Sequence, residues 1–305
     1  MARVVLTRTL PFAAIERLAE RHELTTWPER LPPPPERLRE LAADADGLLC
    51  LLTDRIDAEF LDAAPNLKVV SNFAVGTDNV DLEAASARGI PVGYTPDVLT
   101  DATADLAFAL LLASARRLPQ AAAAIPAGDW VTWEPARWLG AEVSGATLGI
   151  VGMGRIGSAV ARRAAGFGMT VLDARADGLD RLLERADFVS LHAPLTPQTR
   201  HLVDARALAK MRPTAHLVNT ARGGLVDQEA LARALHDGTI AGAALDVTDP
   251  EPLPPEHPLH AAPNLLLVPH VGSATHRTRE RMAAVAVDNL LAGLAGEPMP
   301  HRANG

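Results

Sequence analysis

The segment "ATLGIVGMGRIGSAVARRAAGFG" constrains the fold of this 305-residue chain more than any other. An apolar run typical of a strand leads into Gly152, Gly154 and Gly157, and a helical pattern follows at once. In such a unit the first glycine permits a tight turn, the second lets the backbone approach a pyrophosphate, and the third lets helix and strand pack closely. The segment therefore predicts a dinucleotide site that includes Arg155 and Ile156. The alternative is an ordinary glycine turn.

Short apolar runs alternate with helical patterns on both sides of this segment, from residue 3 to 95 and again up to "NLLLVPH". Strands that alternate with helices imply parallel sheets covered on both faces. The proline run Pro32 to Pro35 predicts a loop. One long buried helix is predicted from Thr100 to Leu118, leading out of the first domain. The helical tail "HRTRERMAAVAVDNLLAGLAG" is expected to pack back on that domain.

These patterns predict an α/β protein with two doubly wound parallel-sheet domains. Residues 1–98 and 277–305 form a flavodoxin-like substrate domain, and residues 99–276 form a Rossmann domain inserted in it. The two chain crossings predict a hinge and a cleft.

Composition and charge exclude several classes of function. The net charge of −8 and the scattered basic residues argue against nucleic acid as a partner. The N-terminus lacks an apolar signal region, and no apolar run reaches the roughly 18 residues of a membrane span. The single cysteine, Cys50, cannot form an internal disulfide, which indicates the cytoplasm. No H-E-x-x-H or C-x-x-C spacing predicts a metal site.

Arg175 ends the predicted second strand of the Rossmann domain, 18 residues beyond Gly157. An acid at that place would bind the ribose 2′-OH of NAD, whereas an arginine can bind the 2′-phosphate of NADP. The arginine therefore favours NADP over NAD. Asp173 and Asp177 flank it and would repel a phosphate, so the alternative is a structural ion pair between Arg175 and one of them.

Three later residues make chemical sense together. Arg222 in "LVNTARGGLVD" and His270 in "LLLVPHVGSAT" follow predicted strands, at the edge where open α/β sheets bind ligands, and Glu251 lies in a proline-rich loop. The guanidinium can hold a carboxylate and an adjacent carbonyl. A histidine beside a carboxylate can hold a proton for the alkoxide that forms when a ketone accepts hydride. Together they predict reduction of a 2-oxo acid. Taken one at a time, each of the three residues could instead have a purely structural role.

The chain resembles the D-isomer-specific 2-hydroxyacid dehydrogenases, and within them the glyoxylate/hydroxypyruvate reductases, over nearly its whole length. The resemblance rests on "LKVVSNFAVGTDNVD", "GIPVGYTPDVLTDATADLA", "GIVGMGRIG", "NTARGGLVD", "LDVTDPEPLP" and "PHVGSATHRTRERM". It implies that Arg222 clamps the substrate, that Glu251 pairs with the histidine, and that His270 donates the proton.

The resemblance also implies contacts around these three residues. The substrate contacts are Val75 and Gly76, whose backbone N–H groups would bind the carboxylate, and Ser273. Asp246 would contact the nicotinamide carboxamide. The remaining cofactor contacts that it implies are Thr103, Pro194, Thr199, Thr220, Ala221 and Gly272.

The chain departs from its relatives after the second Rossmann strand. Relatives carry more residues before the "LDRLLERAD" helix, so an edge strand of the sheet is expected to be missing here. NADP-using relatives tend to place their arginine one residue later, where this chain has Ala176. NAD therefore stays open as the alternative cofactor.

Trp130, Trp133 and Trp138 fall within nine residues of a chain that is only 4% aromatic. Clustered aromatics outside a periodic element indicate a contact surface. By the resemblance, the arm of residues 120–145 embraces a second subunit and makes a homodimer, with Trp138 reaching the partner's substrate pocket. The alternative is an arm that folds onto its own domain.

The prediction is thus an NADPH-dependent or NADH-dependent reductase of a small 2-oxo acid such as hydroxypyruvate or glyoxylate. One alternative is a related dehydrogenase that acts on another 2-hydroxy acid, phosphoglycerate or phosphite. The other is a nucleotide-sensing, corepressor-like protein without catalytic activity, because the same fold serves both purposes.

Overall fold

The structure, a computed structural model, describes residues 1–305 and divides into two compact units. Unit 1 comprises Met1–Leu99 and Ala274–Gly305, and unit 2 comprises Thr100–Ser273. The strands are β1 Arg3–Leu6, β2 Glu23–Thr26, β3 Gly47–Cys50, β4 Val69–Asn72, β5 Val92–Gly93, β6 Thr147–Val151, β7 Thr170–Asp173, β8 Phe188–Leu191, β9 His216–Asn219, β10 Gly242–Leu245 and β11 Leu265–Leu267. The α-helices are α1 Glu16–Ala19, α2 Pro35–Ala42, α3 Ala58–Asp62, α4 Leu82–Ala87, α5 Thr100–Ala115, α6 Leu118–Ala124, α7 Arg155–Ala165, α8 Ala174–Asp177, α9 Leu179–Arg185, α10 Ala205–Lys210, α11 Gln228–His236 and α12 His276–Ala295.

Unit 1 is built on a parallel five-stranded sheet in the order β2-β1-β3-β4-β5, the flavodoxin-like order. Every residue of β3 and β4 is buried, as expected for strands covered on both faces. Helix α12 packs closely on these two strands because Gly293 carries no side chain. A Cβ there would lie 2.4 Å from Cγ2 of Val69.

Unit 2 is built on a parallel six-stranded sheet in the order β11-β10-β9-β8-β6-β7. All six segments predicted as strands form them, so the α/β fold with two parallel sheets is confirmed. The order reverses at β6, which places the switch point, the usual ligand site of such sheets, at the carboxyl ends of β6 and β8. Strand β7 lies at the edge, so the expected absence of a further edge strand is also confirmed.

Two local predictions were wrong, and proline explains both. Pro35 is not in the loop but is the first residue of α2, where the missing N–H needs no partner. The long helix predicted to Leu118 ends at Ala115, and Arg117 takes a left-handed conformation with φ 51°. Pro119 cannot donate to the Ala115 carbonyl, which instead accepts a 2.8 Å hydrogen bond from Ala141 N.

Helix α5 is apolar but is packed within unit 2, chiefly against α7 and the sheet. None of the helices combines the length and the apolar character needed to cross a membrane.

Candidate active site

The glycine turn between β6 and α7 has the geometry that its sequence predicts. Gly152 has φ 101°, and a Cβ there would lie 2.5 Å from Ala193 N, so no other residue fits. A Cβ on Gly157 would lie 2.2 Å from Gly152 O, whereas a Cβ on Gly154 would meet nothing within 4 Å. Arg155 and Ile156 begin α7 directly after this open position. The turn therefore fits a pyrophosphate at the helix N-terminus.

Four other candidate cofactor contacts follow neighbouring strands of the same sheet. Thr220 follows β9, and its buried Oγ1 has no hydrogen-bond partner in the protein. A buried polar group without a protein partner is expected where a ligand supplies the bond. Ala221 follows Thr220. Beyond β8, Thr199 Oγ1 donates a 2.7 Å hydrogen bond to the carbonyl of Pro194, so these two candidates are in contact.

Thr103, Asp246 and Gly272 also come together. The Asp246 carboxylate accepts hydrogen bonds from the backbone N–H of Val271 at 2.6 Å and of Gly272 at 2.8 Å. A Cβ on Gly272 would lie 3.5 Å from Oγ1 of Thr103. Burial raises the pKa of the Asp246 carboxyl, and the bonds from Val271 and Gly272 and the charge of His270 oppose that rise.

Arg175 is not at the end of a strand, which corrects the prediction. Strand β7 ends at Asp173, and Arg175 lies in the short helix α8. The Asp173 carboxylate caps this helix by accepting from Arg175 N at 3.0 Å, and the Asp177 carboxylate accepts from Asp173 N at 2.9 Å. Both acids are thus bonded to backbone, the side chain of Arg175 pairs with neither, and Arg175 is exposed.

His270 and Glu251 form the closest pair among the predicted catalytic residues. Nδ1 of His270 lies 2.6 Å from Oε1 of Glu251, and about a third or less of each side chain is exposed. His270 follows β11 with φ 53°, a left-handed conformation that is strained for a residue with a side chain. Its backbone N–H donates to the carbonyl of Asp246 at 2.8 Å. Asp246 thus stabilises the turn in which His270 lies.

Arg222 lies in the turn after β9, in the same unit as His270 and Glu251. Asn219, the last residue of β9, forms this turn: its Oδ1 accepts from Ala221 N at 3.0 Å, and its Nδ2 donates to Arg222 O at 2.8 Å. Such a side-chain turn places the following residue without further secondary structure. The half-buried Arg222 guanidinium donates to the carbonyl of Ala221 at 2.8 Å.

The NAD binding domain of the D-isomer specific 2-hydroxyacid dehydrogenases matches residues 108–272 of this chain. The chain belongs to that family. One relative, glyoxylate reductase from Korarchaeum cryptofilum, is 49% identical over 317 residues of alignment, which cover 99% of this chain and 96% of the relative.

Two solved structures have the same fold as this dehydrogenase. A Thermus thermophilus protein superposes with a TM-score of 0.92 and 51% identity, covering 98% of this chain and 99% of that one. The NADPH-dependent glyoxylate/hydroxypyruvate reductase from Sinorhizobium meliloti, in complex with NADP and malonate, has a TM-score of 0.87 and 36% identity. Its alignment covers 99% of this dehydrogenase and 96% of that chain.

The predicted substrate contacts of this dehydrogenase are divided between the units. Ser273 follows Gly272 at the end of unit 2. Val75 and Gly76 belong to unit 1, in the turn after β4, where the carbonyl of Gly76 accepts a 2.9 Å hydrogen bond from Asn72 Nδ2. Trp138 is half-buried with φ 59°, and the guanidinium carbon of Arg137 lies 4.7 Å from the ring centroid. The roles of these four residues remain predictions.

The sequence interpretation missed residues that act on the backbone of the site. Asn219 is the first, although an asparagine at a strand end before a motif arginine is a recognisable turn signal. His192 is the second: it follows β8, its backbone N–H donates to Val151 O at 2.7 Å, and its Nε2 lies 2.8 Å from Oγ of Ser190. Burial lowers the pKa of His192 to about 4, so this ring is neutral beside the glycine turn at pH 7.

Proposed function

We propose that this dehydrogenase reduces a small 2-oxo acid, hydroxypyruvate or glyoxylate, to the D-2-hydroxy acid with NAD(P)H. The observation that carries the proposal is the 2.6 Å contact between His270 Nδ1 and Glu251 Oε1. This pair lies in the same unit as the glycine turn and Arg222, and at the carboxyl edge of the same sheet. The names of the relatives from Korarchaeum and Sinorhizobium support the substrate class.

Each catalytic side chain has one task in this reaction. A bound nicotinamide supplies the hydride that reduces the carbonyl carbon. Arg222 binds the carboxylate and the carbonyl oxygen of the substrate, and its charge stabilises the negative charge that develops on that oxygen. His270 gives the proton on Nε2 to the same oxygen. Glu251 keeps the other ring proton on Nδ1, so the ring has one orientation before and after the transfer.

The test measures the oxidation of NADPH, and in a parallel assay of NADH, by the decrease in absorbance, with hydroxypyruvate and with glyoxylate as acceptors. The proposal expects turnover with at least one of them, and D-glycerate as the product from hydroxypyruvate. Absence of turnover with both acids and both nicotinamide cofactors would contradict it, as would formation of L-glycerate.

We propose that NADPH is favoured over NADH. Arg175 supports this, because its exposed side chain pairs with neither Asp173 nor Asp177, whose carboxylates are bonded to backbone N–H groups. A guanidinium at this edge can bind a 2′-phosphate bidentately. The NADP complex of the Sinorhizobium relative is further support. If NADH is preferred instead, Asp173 at the end of β7 is the residue expected to bind the ribose 2′-OH.

We also propose a homodimer formed through the arm of residues 120–145. This arm exposes large apolar side chains over most of their surface, at 61% for Ile125, 67% for Trp130, 84% for Val131, 80% for Trp133 and 66% for Leu139. Exposed aromatic and aliphatic side chains gathered in one segment are typical of an interface. A second copy of the chain would cover it, with Trp138 directed to the partner's substrate pocket. Sedimentation equilibrium of the wild type and of Trp133→Ser tests this, since the variant is expected to dissociate.

A further inference from the structure

The loop that carries Glu251 has no regular secondary structure of its own from Asp246 to His257. Its position therefore depends on contacts with other segments. One of the segments that contact it is 222–228, which begins with Arg222 and ends with Gln228, the first residue of α11. The substrate clamp and the partner of the histidine thus lie on two segments that pack on each other.

Gln228 joins these two segments through its side-chain amide. Oε1 of Gln228 accepts a 3.0 Å hydrogen bond from Asp249 N, and Nε2 of Gln228 donates to the carbonyl of Asp249. Gln228 is buried, with 7% of its surface exposed. A buried amide that bonds both backbone groups of one residue fixes the position of that residue through the two peptide groups on either side of it. Asp249 precedes Glu251 by two residues.

Close backbone packing completes the junction. A Cβ on Gly223 would lie 2.0 Å from the carbonyl carbon of Thr248, and a Cβ on Gly224 would lie 3.2 Å from Oδ2 of Asp249. The same Asp249 oxygen lies 3.1 Å from Nη1 of Arg200, but this ion pair is exposed and contributes little. The Gln228 amide is therefore the strongest directional contact between segment 222–228 and the Glu251 loop.

We infer that Gln228 is a positioning residue that sets the distance between Glu251 and His270 for proton transfer. The inference rests on the proposed function. Gln228 contacts the backbone of Asp249 and acts on the reaction only through the loop. Without its amide, the Asp249 N–H and carbonyl lose their buried partners, and the loop is free to relax. Relaxation by a fraction of an ångström is enough to lengthen the 2.6 Å contact between His270 Nδ1 and Glu251 Oε1.

Gln228→Met tests the inference, since methionine has a similar length and volume but makes neither hydrogen bond. With hydroxypyruvate we expect kcat to fall about 10-fold to 100-fold, the usual range for a small misplacement of a catalytic group. The KM for hydroxypyruvate and the Kd for NADPH should change about 2-fold at most, because Arg222 and the glycine turn are untouched. Wild-type kcat in this variant would overturn the inference.

A double-mutant cycle with Glu251→Gln separates positioning from general damage to the fold. If Gln228 acts through Glu251, Gln228→Met should lower kcat in the wild type and have almost no effect once Glu251 is replaced. An equal factor of loss in both backgrounds would overturn the inference. Ser114→Ala is the matched control, because it removes a buried 2.8 Å hydrogen bond to His216 Nδ1 at the opposite end of β9, and it should leave kcat unchanged.

If the methionine variant does not fold, Gln228→Glu is used for the same kinetic test. The carboxylate can still accept from Asp249 N, but it places an oxygen against the Asp249 carbonyl in place of the donor. We expect the same non-additive loss in the cycle with Glu251→Gln. The failures are distinguishable. If Glu251→Gln has wild-type kcat, the proposed role of Glu251 fails. If only Gln228 variants behave as wild type, the reaction stands and the positioning role is overturned.

Discussion

Nδ1 of His270 lies 2.6 Å from Oε1 of Glu251, although the two residues are 19 positions apart and neither is in a helix or strand. The histidine is presented by the backbone and carboxylate of Asp246, and the glutamate stands in a loop bound to Gln228. The pair is thus held from both sides by hydrogen bonds to backbone, as a catalytic pair needs to be.

Glu251→Gln should lower kcat for 2-oxo acid reduction by about 10-fold to 100-fold, within the range of general acid catalysis. The amide preserves shape but removes the carboxylate that accepts the Nδ1 proton of His270 and holds the ring in one orientation. Steady-state kinetics with hydroxypyruvate at pH 7 measures the effect. Glu256→Gln, in the same loop and exposed, is the control. Equal losses in both variants would exclude a specific role for Glu251.

Arg222→Lys should raise the KM for hydroxypyruvate and lower kcat/KM by at least about 10-fold, the equivalent of one hydrogen bond to a charged group. The ammonium keeps the charge but cannot hold a carboxylate and a carbonyl at once. Arg233→Lys on the exposed face of α11 is a matched control for the loss of an arginine. A variant with wild-type kcat/KM would mean that Arg222 does not bind the substrate.

Arg175→Ala should raise the KM for NADPH about 10-fold and leave the KM for NADH nearly unchanged, because only NADPH has the 2′-phosphate. The comparison requires both cofactors at saturating 2-oxo acid, with Arg181→Ala on α9 as an exposed control. Equal effects on the two KM values would contradict the role of Arg175. They would favour NADH as the cofactor, with its ribose bound by Asp173 at the end of β7.

His216 should make the protein less stable in acid. Burial lowers its folded-state pKa to about 4 from 6.5, so the stability that depends on the neutral ring is complete above pH 6.5. It is lost as the pH falls from 6.5 toward 4, because the unfolded chain binds the proton more tightly. The contribution of His216 to the free energy of unfolding should be roughly 2 kcal/mol lower at pH 5 than at pH 8, and the buried His192 adds a similar dependence of its own. Urea unfolding of the wild type and of His216→Gln measures this.

The His216→Gln variant should lose that part of the pH dependence, whereas replacement of the exposed His201 by glutamine should not change it. If the slope between pH 5 and pH 8 is the same in all three proteins, His216 is not the group responsible.

Much of the fold could be predicted because apolar periodicity and glycine spacing are properties of short segments. All six strands of unit 2 follow from them, whereas the edge position of β7 was predicted from the shorter segment after it than in relatives. The errors came from individual hydrogen bonds. The Ala115 carbonyl accepts from Ala141 and not from within a longer helix, and capping by Asp173 turns Arg175 into a helical residue. Such bonds depend on neighbours that periodicity does not reveal.

The residues of the candidate site also fall into those that the sequence predicts and those that it does not. Arg222, Glu251 and His270 could be found because their chemistry is carried by their own side chains and by motifs around them. Asn219 carries only a general turn signal and Gln228 carries none, because each contributes through bonds to the backbone of other residues. For Gln228 that backbone is 21 positions away, so only the folded structure brings the two groups together.

The most direct measurement is the reduction of hydroxypyruvate by His270→Gln, with NADPH binding followed by fluorescence in the same preparation. The account predicts a loss of kcat of about 100-fold or more, while the Kd for NADPH changes about 2-fold at most. Near wild-type kcat in a variant that binds NADPH normally would contradict the account, because the proton would then come from a group other than His270.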